Sequence, residues 1–161
     1  MLFSVETVNQ TLMDILPYSS DNIYMLEALK EARKAFDKDE IPIGAVVVCN
    51  NSIVARAHNQ TELLTDFTAH AEMLALTSAS NYLGNKYLDK CTLYVTLEPC
   101  LMCAGAMFWT QLGRMVYGCN DPKRGYKSIA PNALHPKTEI TGSILAGEAS
   151  ELLKKYFKKK R

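Results

Sequence analysis

Four residues in two clusters have the types and spacing to work on one reaction. His70 and Glu72 lie in "TAHAE", and Cys100 and Cys103 lie in "PCLMC", with twenty-six residues between the H-A-E and the P-C-L-M-C. Two thiolates and an imidazole make three zinc ligands, and a catalytic zinc site carries three protein ligands while leaving its fourth position to water. Cys100 and Cys103 are three apart at an expected helix start, so their side chains share one face. The helix N-terminus there lowers a thiol pKa and favours the thiolate that binds metal. His70 and Glu72 are two apart, and inside a regular helix they would point about 200° away from each other. They can act together if His70 stands at the N-terminal boundary, before helical dihedrals begin, and Glu72 falls in the first turn. A carboxylate there suits general acid/base work, because zinc lowers the pKa of a water to ~7 and its proton must be carried away.

Each half alone carries little weight. H-x-E is common by chance, and a lone C-x-x-C also serves redox pairs, although those belong to a thioredoxin-like order of elements that this chain lacks. A structural zinc ribbon needs a second C-x-x-C. Cys91 and Cys119 could complete a closed four-ligand site, but both fall in or beside expected strands, where buried cysteine is common. The combination, H-A-E opening one helix and P-C-x-x-C opening the next with a strand between, points to a catalytic zinc site.

The elements that position these residues follow from patterning. Ser20 or Asp21 is the expected cap of a helix running to about Lys38, with Met25, Leu29, Ala32 and Phe36 at helical spacing. "GAVVVC" (44–49) and "IVARAH" (53–58) read as strands joined at Asn50 and Asn51, a hairpin signal. A loop leads to the helix that opens at His70 and fades near "NYLG", with Met73, Leu74 and Leu76 facing a core. "TLYVTL" (92–97) is a third strand, ended by Pro99. "CLMCAGAMFW" (100–109) is a helix and "RMVYGC" (114–119) a fourth strand. Residues 120–136 read as an irregular surface segment, "TEITG" (138–142) as a short fifth strand, and 147–161 as a closing amphipathic helix. This alternation implies an α/β domain, one mixed sheet of about five strands with helices packed on it. Residues 1–20 read as a poorly defined extension and 21–161 as the domain.

The 161 residues suit one domain, 48% of them apolar and 22% charged, the balance of a soluble globular chain. No apolar run approaches the ~20 residues of a membrane span. The start, "MLFSVETVNQ", has neither a basic n-region nor a cleavage site, so a cytoplasmic protein is expected. Its five cysteines are then expected to be reduced rather than a disulfide framework. Residues 152–161 hold six basic residues and no acid, whereas 1–151 hold twelve basic and seventeen acidic ones. Such a tail suits either nucleic acid or the solvated last turn of a helix.

The pattern H-x-E…P-C-x-x-C is the signature of zinc nucleobase deaminases. "PIGAVVV", "TAHAE", "TLYVTLEPCLMCAGAM", "GRMVYGCNDPKRG" and "EITGSILAGEASELLKKYF" give a narrower resemblance. From about Asn22 to Arg161 the chain resembles bacterial tRNA-specific adenosine deaminases of the TadA type, within the cytidine/deoxycytidylate deaminase superfamily. The resemblance implies a three-layer α/β/α fold with helices on both faces of the sheet. It implies one zinc ion per subunit on His70, Cys100 and Cys103, hydroxide attack on C6 of adenine, and Glu72 as proton shuttle. It further implies that Asn59 hydrogen-bonds the base, that the Ala71 backbone lies against the ring, and that Ile43 and Val46 supply part of an apolar pocket. Asp121 and Lys123 match the rim of an RNA groove, where Asp121 could accept from a ribose 2′-OH and Lys123 and Arg124 could meet phosphates.

The implied partners are a tRNA anticodon stem-loop and a second copy of the chain, with no membrane and no DNA. Met102, Met107, Phe108 and Trp109 are candidates for the homodimer interface. The chain departs from the family at Phe67, where proline is frequent, at Asn120, where arginine is frequent, and at Phe108–Trp109, a pair similar to one in guanine deaminases. Three functions are weighed: a tRNA wobble adenosine deaminase, a deaminase of guanine or another free base or nucleoside, and a zinc-stabilised RNA-binding module without activity. Glu72 argues against the last, since a structural zinc does not need it.

Overall fold

The computed structural model describes residues 19–161. The expected extension, apart from its last two residues, lies outside the described part. Helix α1 (Ser20–Asp37) is capped by Ser19, whose backbone is extended and whose hydroxyl accepts from the Asn22 amide. The cap thus falls one or two residues before the expected Ser20 or Asp21. Asp21 is already helical and is used instead to bind Arg114 and Tyr94.

Strands β1 (Gly44–Cys49) and β2 (Ser52–His58) form the expected hairpin. Asn50 and Asn51 both take positive φ, 50° and 58°, the backbone that a tight two-residue turn between twisted strands demands and that asparagine tolerates. A one-turn helix α2 (Thr61–Leu64) interrupts the following loop. Then come α3 (Ala71–Leu83), β3 (Cys91–Leu97), α4 (Leu101–Trp109) and β4 (Arg114–Cys119). A second one-turn helix, α5 (Tyr126–Ile129), sits in the segment expected to be irregular, before β5 (Glu139–Thr141) and α6 (Ala146–Lys159).

The sheet order is β2-β1-β3-β4-β5. β1 is antiparallel to β2 and β3, while β3, β4 and β5 run parallel. Alternate residues of the central strands face opposite layers. Ala45, Val47, Leu93, Val95, Met115 and Tyr117 pack with α3 and α4. Val46, Val48, Tyr94 and Val116 pack with Tyr24, Met25 and Ala28 of α1. α6 joins α1 on that second side, where Ala149 and Leu153 meet Leu29. The result is the α/β/α sandwich that the resemblance implied.

Val46 is corrected by this alternation. It is wholly buried, but on the α1 side of the sheet, whereas Cys103 and Ala71 lie in the core of the opposite side. It cannot line a pocket there. Met107 is likewise fully buried between α4 and the sheet and is no interface residue, while its neighbour Trp109 is 77% exposed. Gly44 shows how tightly α1 seats on the sheet: a Cβ at that position would come within 2.1 Å of the Ala28 carbonyl oxygen.

Candidate active site

Two helix N-termini converge on one point. His70 precedes α3 in extended backbone (φ −70°, ψ 152°), and its carbonyl takes the first intrahelical bond, from the Leu74 amide at 3.1 Å. Cys100 precedes α4 in the same way (φ −73°, ψ 171°), with its carbonyl accepting from Ala104 at 3.0 Å. Because only two residues separate Cys100 from the end of β3, which runs parallel to β4, the site lies beyond the carboxyl end of a parallel strand pair, where open α/β sheets place their ligands. Cys103, in the first turn of α4, is fully buried. Both helices point their positive ends at the cluster, which favours thiolate.

The three ligand atoms have the spacing of a metal's coordination sphere. His70 Nδ1 lies 3.6 Å from Cys100 Sγ and 3.5 Å from Cys103 Sγ, and the two sulfurs are 3.7 Å apart. A tetrahedral zinc with bonds of about 2.3 Å to sulfur and about 2.0 Å to nitrogen sets S···S near 3.8 Å and S···N near 3.5 Å, roughly what is seen. Among the described residues this is the one group of three or more His, Cys, Asp or Glu side chains that could hold a metal. It has three donors, and Cys91 and Cys119 lie outside it.

The protonation pattern fits the same reading. The Cys100 thiol is pushed down to about 4, chiefly by its hydrogen bond with Cys103 and then by the one with His70. Cys103 is pushed up, first by its hydrogen bond with Cys100 and then by burial. His70 is raised, first by its bond to Cys100.

Glu72 is 3% exposed, and its Oε2 is buried without a hydrogen-bond partner. Burial raises its pKa to about 7. A carboxyl poised near neutrality, with one oxygen free, is suited both to take and to give a proton. His70 standing just outside the helix removes the geometric objection to a spacing of two.

The remaining predicted residues are distributed unevenly. Ala71 is fully buried at the first position of α3. Ile43 packs on the same core, and its carbonyl accepts from the Asn59 amide at 3.0 Å. Asn59 is 2% exposed. The next residue, Gln60, donates its amide to the carbonyl of Ala69, beside His70, at 3.0 Å, which brings the segment after Asn59 alongside the start of α3. On the other flank, Cys100 bridges to Gly125 and the Tyr126 amide bonds Pro99. Asp121 Oδ1 accepts the amides of Lys123 and Arg124, so this oxygen shapes the loop, and the side chains of Lys123 and Arg124 are exposed. In the basic tail, Lys160 pairs with Asp39 at 2.5 Å and Lys159 lies near the same carboxylate, leaving only part of the tail's charge for a partner.

Two buried acids in the loops flanking the site were not singled out by sequence reasoning. Glu40 accepts four hydrogen bonds from the 59–63 segment, and Glu98 accepts the amides of Asp121 and Lys127. Glu98 stands inside "TLEPC", immediately before the metal loop, which is the one positional hint. Glu40 gives no comparable signal.

Comparison with known proteins agrees with the site. A family model described as MafB19-like deaminase matches residues 19–161. A tRNA-specific adenosine deaminase of Bacillus subtilis is 43% identical over 148 residues, covering 89% of this chain and 92% of its own. A structure solved in studies of A-to-I editing by tRNA:A34 deaminases at the wobble position of transfer RNA is 39% identical, with a TM-score of 0.76 over 81% of this chain and 99% of that one. A guanine deaminase from Bacillus subtilis is 31% identical, with a TM-score of 0.59 over 70% of this chain and 69% of that one. On fold, the His–Cys–Cys cluster and likeness together, the chain belongs to the tRNA-specific adenosine deaminase family.

Proposed function

We propose that this chain is a zinc-dependent editing enzyme that hydrolyses adenosine to inosine and ammonia at the wobble position of a tRNA anticodon. The observation that carries this is the buried, unpartnered Oε2 of Glu72, in the first turn of the helix whose N-cap is a ligand of the tetrahedrally spaced triad. A structural zinc has no use for such a carboxylate, which weighs against the binding module. His70, Cys100 and Cys103 would hold the zinc, which would supply Lewis-acid activation of the attacking water.

The chain's own groups then divide the work. Glu72 takes the proton released by that water and passes it to N1 as C6 becomes tetrahedral, then takes the second proton from the new C6 hydroxyl and delivers it to the amino group, which departs as ammonia. Ala71 and Ile43 wall the ring, and Asn59 holds the nucleoside by a hydrogen bond. The loop at 120–127 meets the RNA, with Lys123 and Arg124 toward phosphates and the free oxygen of Asp121 toward a 2′-OH. The domain from residue 21 onward carries all of this.

The enzyme acts in the cytoplasm, where tRNA is found, and no described helix is long and apolar enough to cross a membrane. It works as a homodimer with one zinc per chain, and the exposed Trp109 and Leu101 at the two ends of α4 suit the contact. The wobble-tRNA substrate is preferred to free guanine because the 43% identical relative acts on tRNA and is matched over more of both chains than the guanine deaminase.

The test is direct. Purified enzyme is incubated with an anticodon stem-loop bearing a wobble adenosine and, separately, with free guanine and free adenosine. Inosine is expected in the stem-loop alone. Ammonia from guanine with no inosine in the stem-loop overturns the reading.

A further inference from the structure

Glu40 lies in the connection between α1 and β1, outside every element, yet is only 1% exposed. Its Oε1 accepts the Leu63 amide at 2.7 Å. Its Oε2 accepts the Glu62 amide at 3.2 Å, the Asn59 carboxamide nitrogen at 3.2 Å and the Thr61 hydroxyl at 3.4 Å. It donates to none of them. A buried acid with four donors converging on it is an organising centre, since its loss would take an acceptor from all four at once.

The consequence for Asn59 is geometric. An acceptor-only group admits only the nitrogen end of a carboxamide. The second hydrogen of that nitrogen goes to Thr61 Oγ1 at 3.2 Å. Both donors of the amide are therefore spent inside the protein. Among the described residues none donates to its Oδ1.

We propose that Glu40 is a positioning residue for the reaction: it locks the Asn59 carboxamide with nitrogen inward, so that Oδ1 faces the nucleoside as an acceptor for one of its hydrogen-bond donors. This rests on the reading that Asn59 touches the substrate. Glutamine cannot replace Glu40. Its NH₂ would meet either the Leu63 amide or the three donors at the other oxygen, donor against donor.

A double-mutant cycle on the wobble-adenosine stem-loop separates this role from a structural one. Glu40→Gln is expected to keep zinc and lower kcat/KM by about 10²-fold, the cost of a misplaced contact. In an Asn59→Ala background the same change should then alter kcat/KM by less than about 2-fold, because the group through which Glu40 acts is gone. Additive losses, or loss of zinc in Glu40→Gln, overturn the proposal while leaving Asn59 as a substrate contact. Wild-type kcat/KM in Asn59→Ala overturns instead the reading on which it rests. Thr61→Val, which removes the other inward partner at a more exposed position, carries the same cycle if Glu40→Gln does not fold.

The acceptor itself is tested by Asn59→Asp. That change sets two carboxylates together and should be inactive, and adding Glu40→Gln, whose amide can donate to the introduced carboxylate, should recover part of the activity. No recovery overturns the acceptor assignment. A stem-loop with 2′-deoxyadenosine at the wobble position tells which donor is met: a ribose hydroxyl if Asn59→Ala costs nothing further on it, the exocyclic amine if the full loss persists.

Discussion

His70, Cys100 and Cys103 meet because each sits at or within one turn of a helix start, whereas the loops flanking them are held by acids 19 to 29 residues away in sequence. The triad is a local device: two chain segments enter helices beside each other, and their first residues are still in extended backbone. The walls are tertiary devices. Glu40 gathers the amides of residues 62 and 63, and Glu98 those of 121 and 127, so each loop's shape is set by a buried carboxylate outside it. Damage to the first should remove metal and chemistry together. Damage to the second should leave the metal in place and degrade alignment and stability.

The largest effect is expected from the triad. Cys103→Ala should bring the zinc content from about one per chain to near zero, measured by atomic emission, with activity lost and the melting temperature no longer sensitive to a chelator. A variant that keeps full zinc and turnover would falsify the ligand assignment. Next comes Glu72→Ala, expected to retain zinc and lose about 10²–10⁴-fold in single-turnover rate, the usual contribution of a positioned acid/base. Turnover at the wild-type rate in that protein would exclude the shuttle.

The same contrast explains what the sequence disclosed. Helix starts, a two-asparagine turn and apolar strands leave local marks, so the sheet, its hairpin and the placement of His70 outside α3 could all be read. Val46 could not, because in "GAVVVC" both faces are buried and an unbroken apolar run does not say which residue faces which layer. The one-turn helices α2 and α5 are too short to show a period. Glu40 and Glu98 were missed for a different reason. An acid in a sequence reads as surface, and only the folded chain shows that amides from distant loops converge on it.

Among the walls, Glu98 offers the sharper test of stability. Gly125 packs directly on it: a Cβ there would fall 2.4 Å from the Glu98 carboxyl carbon. Glu98→Gln turns an NH₂ toward the amide of either Asp121 or Lys127, leaving a buried donor unsatisfied at a cost of about 1–3 kcal/mol. The expected outcome is a lower melting temperature, unchanged zinc and a raised KM for the stem-loop with a smaller change in kcat. If zinc falls in parallel with stability, triad and wall are one cooperative unit and the distinction between them fails.

The smallest effect is expected at the far end of the sheet, and it serves as the control. β4 runs from Arg114 to Cys119, and Leu97, just before the metal loop, pairs with Cys119, so Arg114 lies away from the site. There Asp21 takes two hydrogen bonds from Arg114 at 2.8 Å and one from the Tyr94 hydroxyl at 2.8 Å, tying α1 to β3 and β4. The Arg114 bond, more than any other cause, holds the Asp21 carboxyl below its usual pKa, against the opposing effect of burial. A folded-state value lower than the unfolded one means that the pair's stabilisation is complete above the unfolded pKa of about 3.9 and is lost as pH falls through the folded value. Asp21→Asn should therefore cost about 1 kcal/mol near neutrality, since the pair is only partly buried, or roughly 2–4 °C in melting temperature. The gap between wild type and variant should narrow as pH falls below ~4 and close only once pH has passed the lower folded value, where protonation removes the charge from wild type as well. Zinc content and kcat/KM at pH 7 should not move. A loss of activity without a loss of stability in this variant would show that the active-site end of the sheet is not insulated from its opposite end.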